Sequence, residues 1–149
     1  DNTSSQIIVQ IPGDAKRMAA SIFLEVLEEC PELRQRLRRY SQLVTELVSQ
    51  SAACNRMHVT EERCARWLLM SHDRTGRDHF HLTQGFLAQM LGVRRPGVTV
   101  AIGILEKAGL ILHERGVITV MDRRGLEEAS CECYATVRRR EITLVGQTT

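Results

Sequence analysis

A chain of 149 residues that is 43% hydrophobic and 26% charged, with ten glycines and three prolines, has the composition of one globular domain, or of one domain and part of another. That composition excludes a disordered tail, a collagen-like repeat and a low-complexity linker, and no apolar run reaches the roughly 20 residues that cross a bilayer. Twenty basic against eighteen acidic residues leave a net charge of +2, so a nucleic-acid partner has to be argued from where the charge sits.

The amino terminus, Asp-Asn-Thr-Ser-Ser, has no basic-then-apolar signal pattern. Five cysteines, Cys30, Cys54, Cys64, Cys131 and Cys133, are an odd number, and four lie in helical-looking segments. The expectation is a soluble, cytoplasmic protein without a disulfide framework or a membrane partner. Eighteen of the twenty cations are arginine, which suits bidentate contacts with phosphate and guanine.

Residues 6–11 (QIIVQI) form a β-branched run closed by Pro12-Gly13, which predicts a strand and a turn. Without a neighbouring strand in the sequence, it reads as the last strand of a β-domain lying upstream; pairing with the later hairpin is the alternative. In residues 19–30, Ile22, Phe23, Val26 and Leu27 recur at helical spacing until Pro31 ends or restarts the helix. Leu33, Leu37, Tyr40, Val44, Leu47, Ser51 and Cys54 then follow at intervals of four and three, a heptad seam sustained over three repeats. The spacing predicts a dimerisation helix over residues 32–55, about 36 Å long; an ordinary core helix is the alternative, because Leu43 and Val48 widen its apolar face. Thr60-Glu61-Glu62-Arg63 opens a further helix, with Ala65, Leu68 and Leu69 on its buried side, that stops near His72. The polar stretch 71–78 reads as a loop and as a subdomain boundary.

The distinctive segment is residues 82–122. Thr83 can cap a helix over 84–91, with Phe86, Leu87, Met90 and Leu91 as its apolar positions, and Gly92 stands where a tight interhelical turn needs positive φ. Arg94-Arg95-Pro96 starts a second helix, about 94–108, with Val98, Ala101, Ile102 and Leu105 as a buried stripe. This is a helix-turn-helix. Residues 82–105 contain no acid, and their only charges are Arg94 and Arg95, at the end where a recognition helix meets DNA. Arginine reads guanine or clamps phosphate there, and Thr83 and Thr99 can donate to phosphate oxygens. Residues 110–112 and 117–120 predict two short strands around His113-Glu114-Arg115-Gly116, a wing whose Arg115 reaches the phosphate backbone. A last helix is expected over 124–140, packing Leu126, Ala129, Cys133 and Val137 and ending in three arginines.

LTQGFLAQMLGVRRPGVTVAIGILEKAGLI followed by a short hairpin resembles the winged helix of the Crp/Fnr family of bacterial transcription regulators. Upstream, ERCARWLL is similar to the family's helix leading into the DNA-binding domain, the heptad helix to its dimer helix, and QIIVQIPGDAKRM to the end of its β-barrel sensor domain. The fold the resemblance implies is mainly α with a small β part. It divides into a remnant of a cyclic-nucleotide-binding-like sensor (1–31), a dimerisation helix (32–58) and a winged helix-turn-helix domain (59–149). The function implied is that of a homodimer on a twofold-symmetric, double-stranded DNA operator, with RNA polymerase as a further partner. Thr83, Gln84, Arg94, Arg95, Gly97, Val98, Thr99, His113 and Arg115 are the expected DNA-contacting set. Within it the resemblance makes Thr83 a phosphate-contacting cap, Arg95 the base-reading arginine, and Gly97-Val98 the counterpart of a family Thr-Val or Ser-Val. The chain departs where well-known members place Glu after that arginine and Arg four residues further on; here stand Pro96 and Thr99-Val100, so a different operator is expected. Neither a phosphate cassette for a cyclic nucleotide nor an amino-terminal cysteine cluster is present, so no cofactor is assigned to the chain and the effector is unknown.

Three rival readings stand beside this one. A metal or redox sensor would use Cys131 and Cys133, or His72, His79 and His81, but Cys-x-Cys within one helix sets its thiols about 200° apart, so no metal ligands are expected. An enzyme lacks a phosphate loop or a Gly-x-Ser-x-Gly elbow, and Cys54 and Cys64 lie on apolar helix faces, so no catalytic residue is expected. A winged helix used only for protein contacts would lack the salt dependence of DNA binding.

Overall fold

The computed structural model describes residues 8–10 and 13–145. Two helices open it, α1 (Ala20–Glu29) and α2 (Pro31–Met57), separated by Cys30, with Pro31 in the first turn of α2 where its missing N–H costs nothing. Arg34 holds the joint: its Nε and Nη2 donate to the Leu27 carbonyl at 2.8 and 2.5 Å, satisfying the end of α1. No residue of α1 is buried. The 27 residues of α2 span about 40 Å, and only Leu43 and Cys54 are buried.

The heptad seam is therefore divided. Tyr40 and Val44 are 57% and 39% exposed, and Leu33, Leu37 and Leu47 are half-buried. Cys54, expected in the same seam, is fully buried against Cys131 and Cys133 of its own chain, and Ser51 accepts from Arg66 Nη2 at 3.5 Å. The carboxyl end of α2 packs inward because the last helix lies against it.

The core forms around α3 (Thr60–Thr75), whose Cys64, Ala65, Leu68 and Leu69 are fully buried. It packs on α4 (Gln84–Leu91) and α5 (Arg95–Lys107) through Leu87, Leu91, Val98, Ala101, Ile102 and Leu105. Trp67 meets Phe86 edge to face, ring centres 6.1 Å apart, fixing α3 on α4. Beside these helices lies a three-stranded antiparallel sheet of β1 (His79–His81), β2 (Ile111–Glu114) and β3 (Val117–Val120), in the order β1-β3-β2. Phe80 faces Ile118 and Leu112 faces Thr119 across β3.

The β1 strand was not legible: three residues, two of them histidine, give no period-2 pattern. In the strand expected at 6–11, Ile8, Val9 and Gln10 take no strand conformation, and positions 6, 7 and 11 lie outside the described residues. Among the described residues, the outer partner of the hairpin is β1.

The single helix expected over 124–140 is two, α6 (Arg123–Glu128) and α7 (Cys133–Val145). Asp122 caps α6 by accepting from Gly125 N at 2.9 Å, and the Ser130 hydroxyl donates to the Glu127 carbonyl at 2.8 Å, closing the helix after barely two turns. A β-carbon at Gly125 would stand 2.5 Å from Leu110 Cδ2 and 2.6 Å from Asp122 Oδ2, so a larger residue here would have to displace the Leu110 side chain and the capping carboxylate. Cys131 therefore lies outside any helix, and the 200° separation from Cys133 does not apply.

A polar network ties α3, α6 and α7. Arg123 Nη2 donates to Asp73 Oδ1 at 2.8 Å and to the Tyr134 hydroxyl at 2.7 Å, which in turn donates to Asp73 Oδ2 at 2.7 Å. Arg138 Nη1 also donates to that hydroxyl, at 2.8 Å. Burial, then the Asp73 carboxylate, pushes the Tyr134 hydroxyl up to about 12, so it remains a neutral donor.

Candidate nucleic-acid interface

The helix-turn-helix is assembled by caps and core contacts. Thr83 Oγ1 accepts from Phe86 N at 3.2 Å, starting α4, and Gly92 takes φ +63° to end it. Arg63 of α3, itself buried, donates through Nη2 to the Leu91 carbonyl, so the inner face of the turn is tied to the core. Helix α5 then starts at once, with Arg94 as its extended first flank and Pro96 in its first turn.

Two side chains hold the helices in register. Thr99 Oγ1 donates to Gln84 Oε1 at 2.8 Å across the two helices and approaches the Arg95 carbonyl at 3.2 Å. Gln84, one residue past the cap, thereby helps to set α4 against α5, and the Thr99 hydroxyl is already engaged within the protein.

Arg94, Arg95 and Pro96 are exposed at the amino end of α5, Thr83 and Thr99 are exposed beside them, and Gly97 is half-buried. Val98 is not: it is fully buried in the core, as its place in the apolar stripe dictates, and it leaves the contacting set. The outward face of α5 continues instead through Val100 and Ile104, 59% and 46% exposed. Sequence reasoning missed both; the signal was there, since they lie four and eight residues beyond Pro96 on one helical face. An apolar patch on a recognition helix suits the methyl group of thymine.

The wing is a two-residue hairpin. Arg115 and Gly116 have φ +48° and +79°, the left-handed pair of a type I′ turn, and Glu114 pairs with Val117 across it. The strand thus runs through His113 and Glu114, two residues further than the sequence suggested, and leaves Arg115 exposed at the tip with the exposed Glu114 carboxylate beside it, which weakens its attraction for phosphate. His113 N donates to Glu106 Oε1 at 2.8 Å, locking the wing to the end of α5. Its ring is half-buried, and its Nε2 is shielded from solvent. The result is a face with arginines at the start of α5 and at the wing tip, and no acidic residue between Leu82 and Leu105. Anionic backbone can approach both points, and free N–H groups at two helix starts add to the attraction.

The family profile of the Crp-like helix-turn-helix domain matches residues 62–129. No curated protein matches the chain. Among solved structures, the chain is similar to one described as a transcriptional regulator of the Crp/Fnr family from Eubacterium rectale, with 21% identity, a TM-score of 0.56, and coverage of 80% of this chain and 52% of that one. It is also similar to the catabolite activator protein of Thermus thermophilus, with 21% identity, a TM-score of 0.40, and coverage of 78% and 53%. The chain spans about half the length of these structures. The profile covers most of α3 and all of α4 to α6, and thus both helices of the turn and the wing, and over these residues the chain is similar to the Crp-like helix-turn-helix domain.

Proposed function

We propose that the chain is the DNA-binding part of a Crp/Fnr-type transcription regulator and acts by laying α5 in the major groove. The observation that supports this reading most is the acid-free surface of residues 82–105 with Arg94 and Arg95 exposed at the start of α5. Arg95 reads a base edge, Arg94 and Arg115 hold phosphates on either side, Thr83 and Gly97 bring backbone close to phosphate, and Val100 packs on a thymine methyl. Pro96 and Thr99-Val100 stand where well-known members carry Glu and Arg, so the operator differs from theirs.

In this reading the chain works as a homodimer. The uncovered stripe of Leu33, Leu37, Tyr40, Val44 and Leu47 meets its twofold copy and sets two recognition helices one helical turn of DNA apart. Residues 1–31 belong to the sensor side, 32–58 to the dimer helix and 59–149 to the DNA-binding domain. RNA polymerase is a partner in transcription, the site of action is the cytoplasm, and the chain performs no catalysis. No helix among the described residues is long and apolar enough to cross a membrane.

Selection from a random duplex pool tests the reading. Enrichment of a palindrome with half-site centres about 34–36 Å apart supports it. A pool that stays random while the chain captures protein partners overturns it in favour of a winged helix used for protein contacts.

A further inference from the structure

Four side chains that the DNA-binding reading does not use converge at the base of α2. Cys54 and His58, one helical turn apart at its carboxyl end, meet Cys131 and Cys133 from the break between α6 and α7, and the four ligand atoms lie within 4.8 Å of one another. Cys54 Sγ and Cys131 Sγ are 3.6 Å apart. A tetrahedral ion that holds thiolates at about 2.3 Å spaces its ligand atoms roughly 3.8 Å apart, so the constellation needs only sub-ångström adjustment.

The surroundings are those of a metal-thiolate centre. All three thiols are buried. Gln50 Nε2 stands 3.0 Å from Cys133 Sγ, a donor to a sulfur that carries charge. The His58 ring has a carboxylate on each side, Glu62 at 3.3 Å from Nδ1 and Glu132 at 3.4 Å from Nε2. Whichever nitrogen binds an ion, the other has a carboxylate to orient it, the usual outer partner of a metal-bound histidine. The fourth observation is independent of the ligands: Arg66 is 5% exposed, and its Nε and Nη1 have no hydrogen-bond partner. A buried cation with no carboxylate partner among the described residues is costly, and this one reaches Ser51, one turn before Cys54 on α2, at 3.5 Å.

We infer that Cys54, His58, Cys131 and Cys133 bind one Zn2+ ion in a closed tetrahedral site that fastens the end of α2 to the α6–α7 junction. On binding, the three thiols release their protons to solvent as three sulfur–zinc bonds form, and the imidazole binds as a neutral donor. The centre then carries a charge of −1, which the Arg66 guanidinium balances. Three thiolates and one imidazole are a soft donor set that favours zinc over calcium or magnesium, and four protein ligands leave no position for a reacting water. The inference rests on this geometry and not on the DNA reading.

The test is metal content and spectroscopy of the purified chain under reducing conditions, without DNA. Elemental analysis after zinc loading and dialysis is expected to give one zinc per chain. Substitution by Co2+ is expected to produce the intense visible bands of a tetrahedral ion and a thiolate charge-transfer band. Cys131→Ser and His58→Ala should each weaken zinc binding tenfold or more, whereas Cys30→Ser and Cys64→Ala, checked for native circular dichroism, should retain the full equivalent. Substoichiometric zinc in chain that retains its helical spectrum would overturn the inference. So would an octahedral Co2+ spectrum, or a Cys54–Cys131 disulfide that persists in reductant.

Discussion

At the scale of single residues, the proposed recognition depends on a few side chains with distinct roles. Arg95 is exposed at the first turn of α5 and has no acidic neighbour within residues 82–105. A bidentate contact to guanine discriminates by about 1–3 kcal/mol, so Arg95→Ala should lower operator affinity by that amount and relax preference at one position in each half-site. Titration of operators varied at every position checks this, and unchanged preference would place base reading elsewhere. Cys64 illustrates the opposite kind of residue. It is fully buried, and burial pushes its thiol up to about 12, so at pH 8 almost none is thiolate. Iodoacetamide at that pH should modify half-buried Cys30 first and spare Cys64 until the chain is unfolded, as peptide mass mapping would show. Equal rates at the two positions would mean that the α3 core opens readily.

At the scale of elements, α2 carries two kinds of surface on one helix. Its first half exposes Tyr40 and Val44 beside Leu37 and Leu47, while its last turns are packed on α7 and on the cysteine cluster. Leu47→Asp puts a carboxylate into the uncovered stripe and should shift the sedimentation of a dimer to that of a monomer without loss of helical signal. A dimer that survives this change would move the interface off α2. The junction of α3, α6 and α7 rests on the Tyr134 hydroxyl, which binds Asp73, Arg123 and Arg138. Tyr134→Phe leaves the ring packed but strips the carboxylate and two guanidinium groups of their shared partner. A loss of about 1–3 kcal/mol is expected in chemical denaturation, with a native-like spectrum before the transition.

At the scale of the whole molecule, net charge and local charge make different predictions. With +2 overall, general attraction to DNA is weak, and affinity has to come from the cations on one face. If two subunits each bring Arg94 and Arg115 to phosphates, log affinity should fall with log salt at a slope of roughly −3 to −4. A slope near zero in an anisotropy titration would show that the face is not electrostatically engaged.

What the sequence determined by itself follows from local physics. The helix-turn-helix was legible to within a residue at α4 and α5, because a capping threonine, a glycine at the positive-φ turn, a proline in a first turn and an apolar period all act within a few positions. The hairpin was legible for the same reason, through its glycine and alternating strands. The break between α6 and α7 was not, since it depends on Ser130 turning back on Glu127 and on Gly125 lying against Leu110. Nor was the inward turn of Cys54 away from the seam assigned to it, which packing against α7 decides. The convergence of Cys54 and His58 with Cys131 and Cys133 spans more than seventy residues of chain. Spacing shows which residues share a helix face, but only the tertiary fold, by burying α7 against the end of α2, brings together groups that no local period relates.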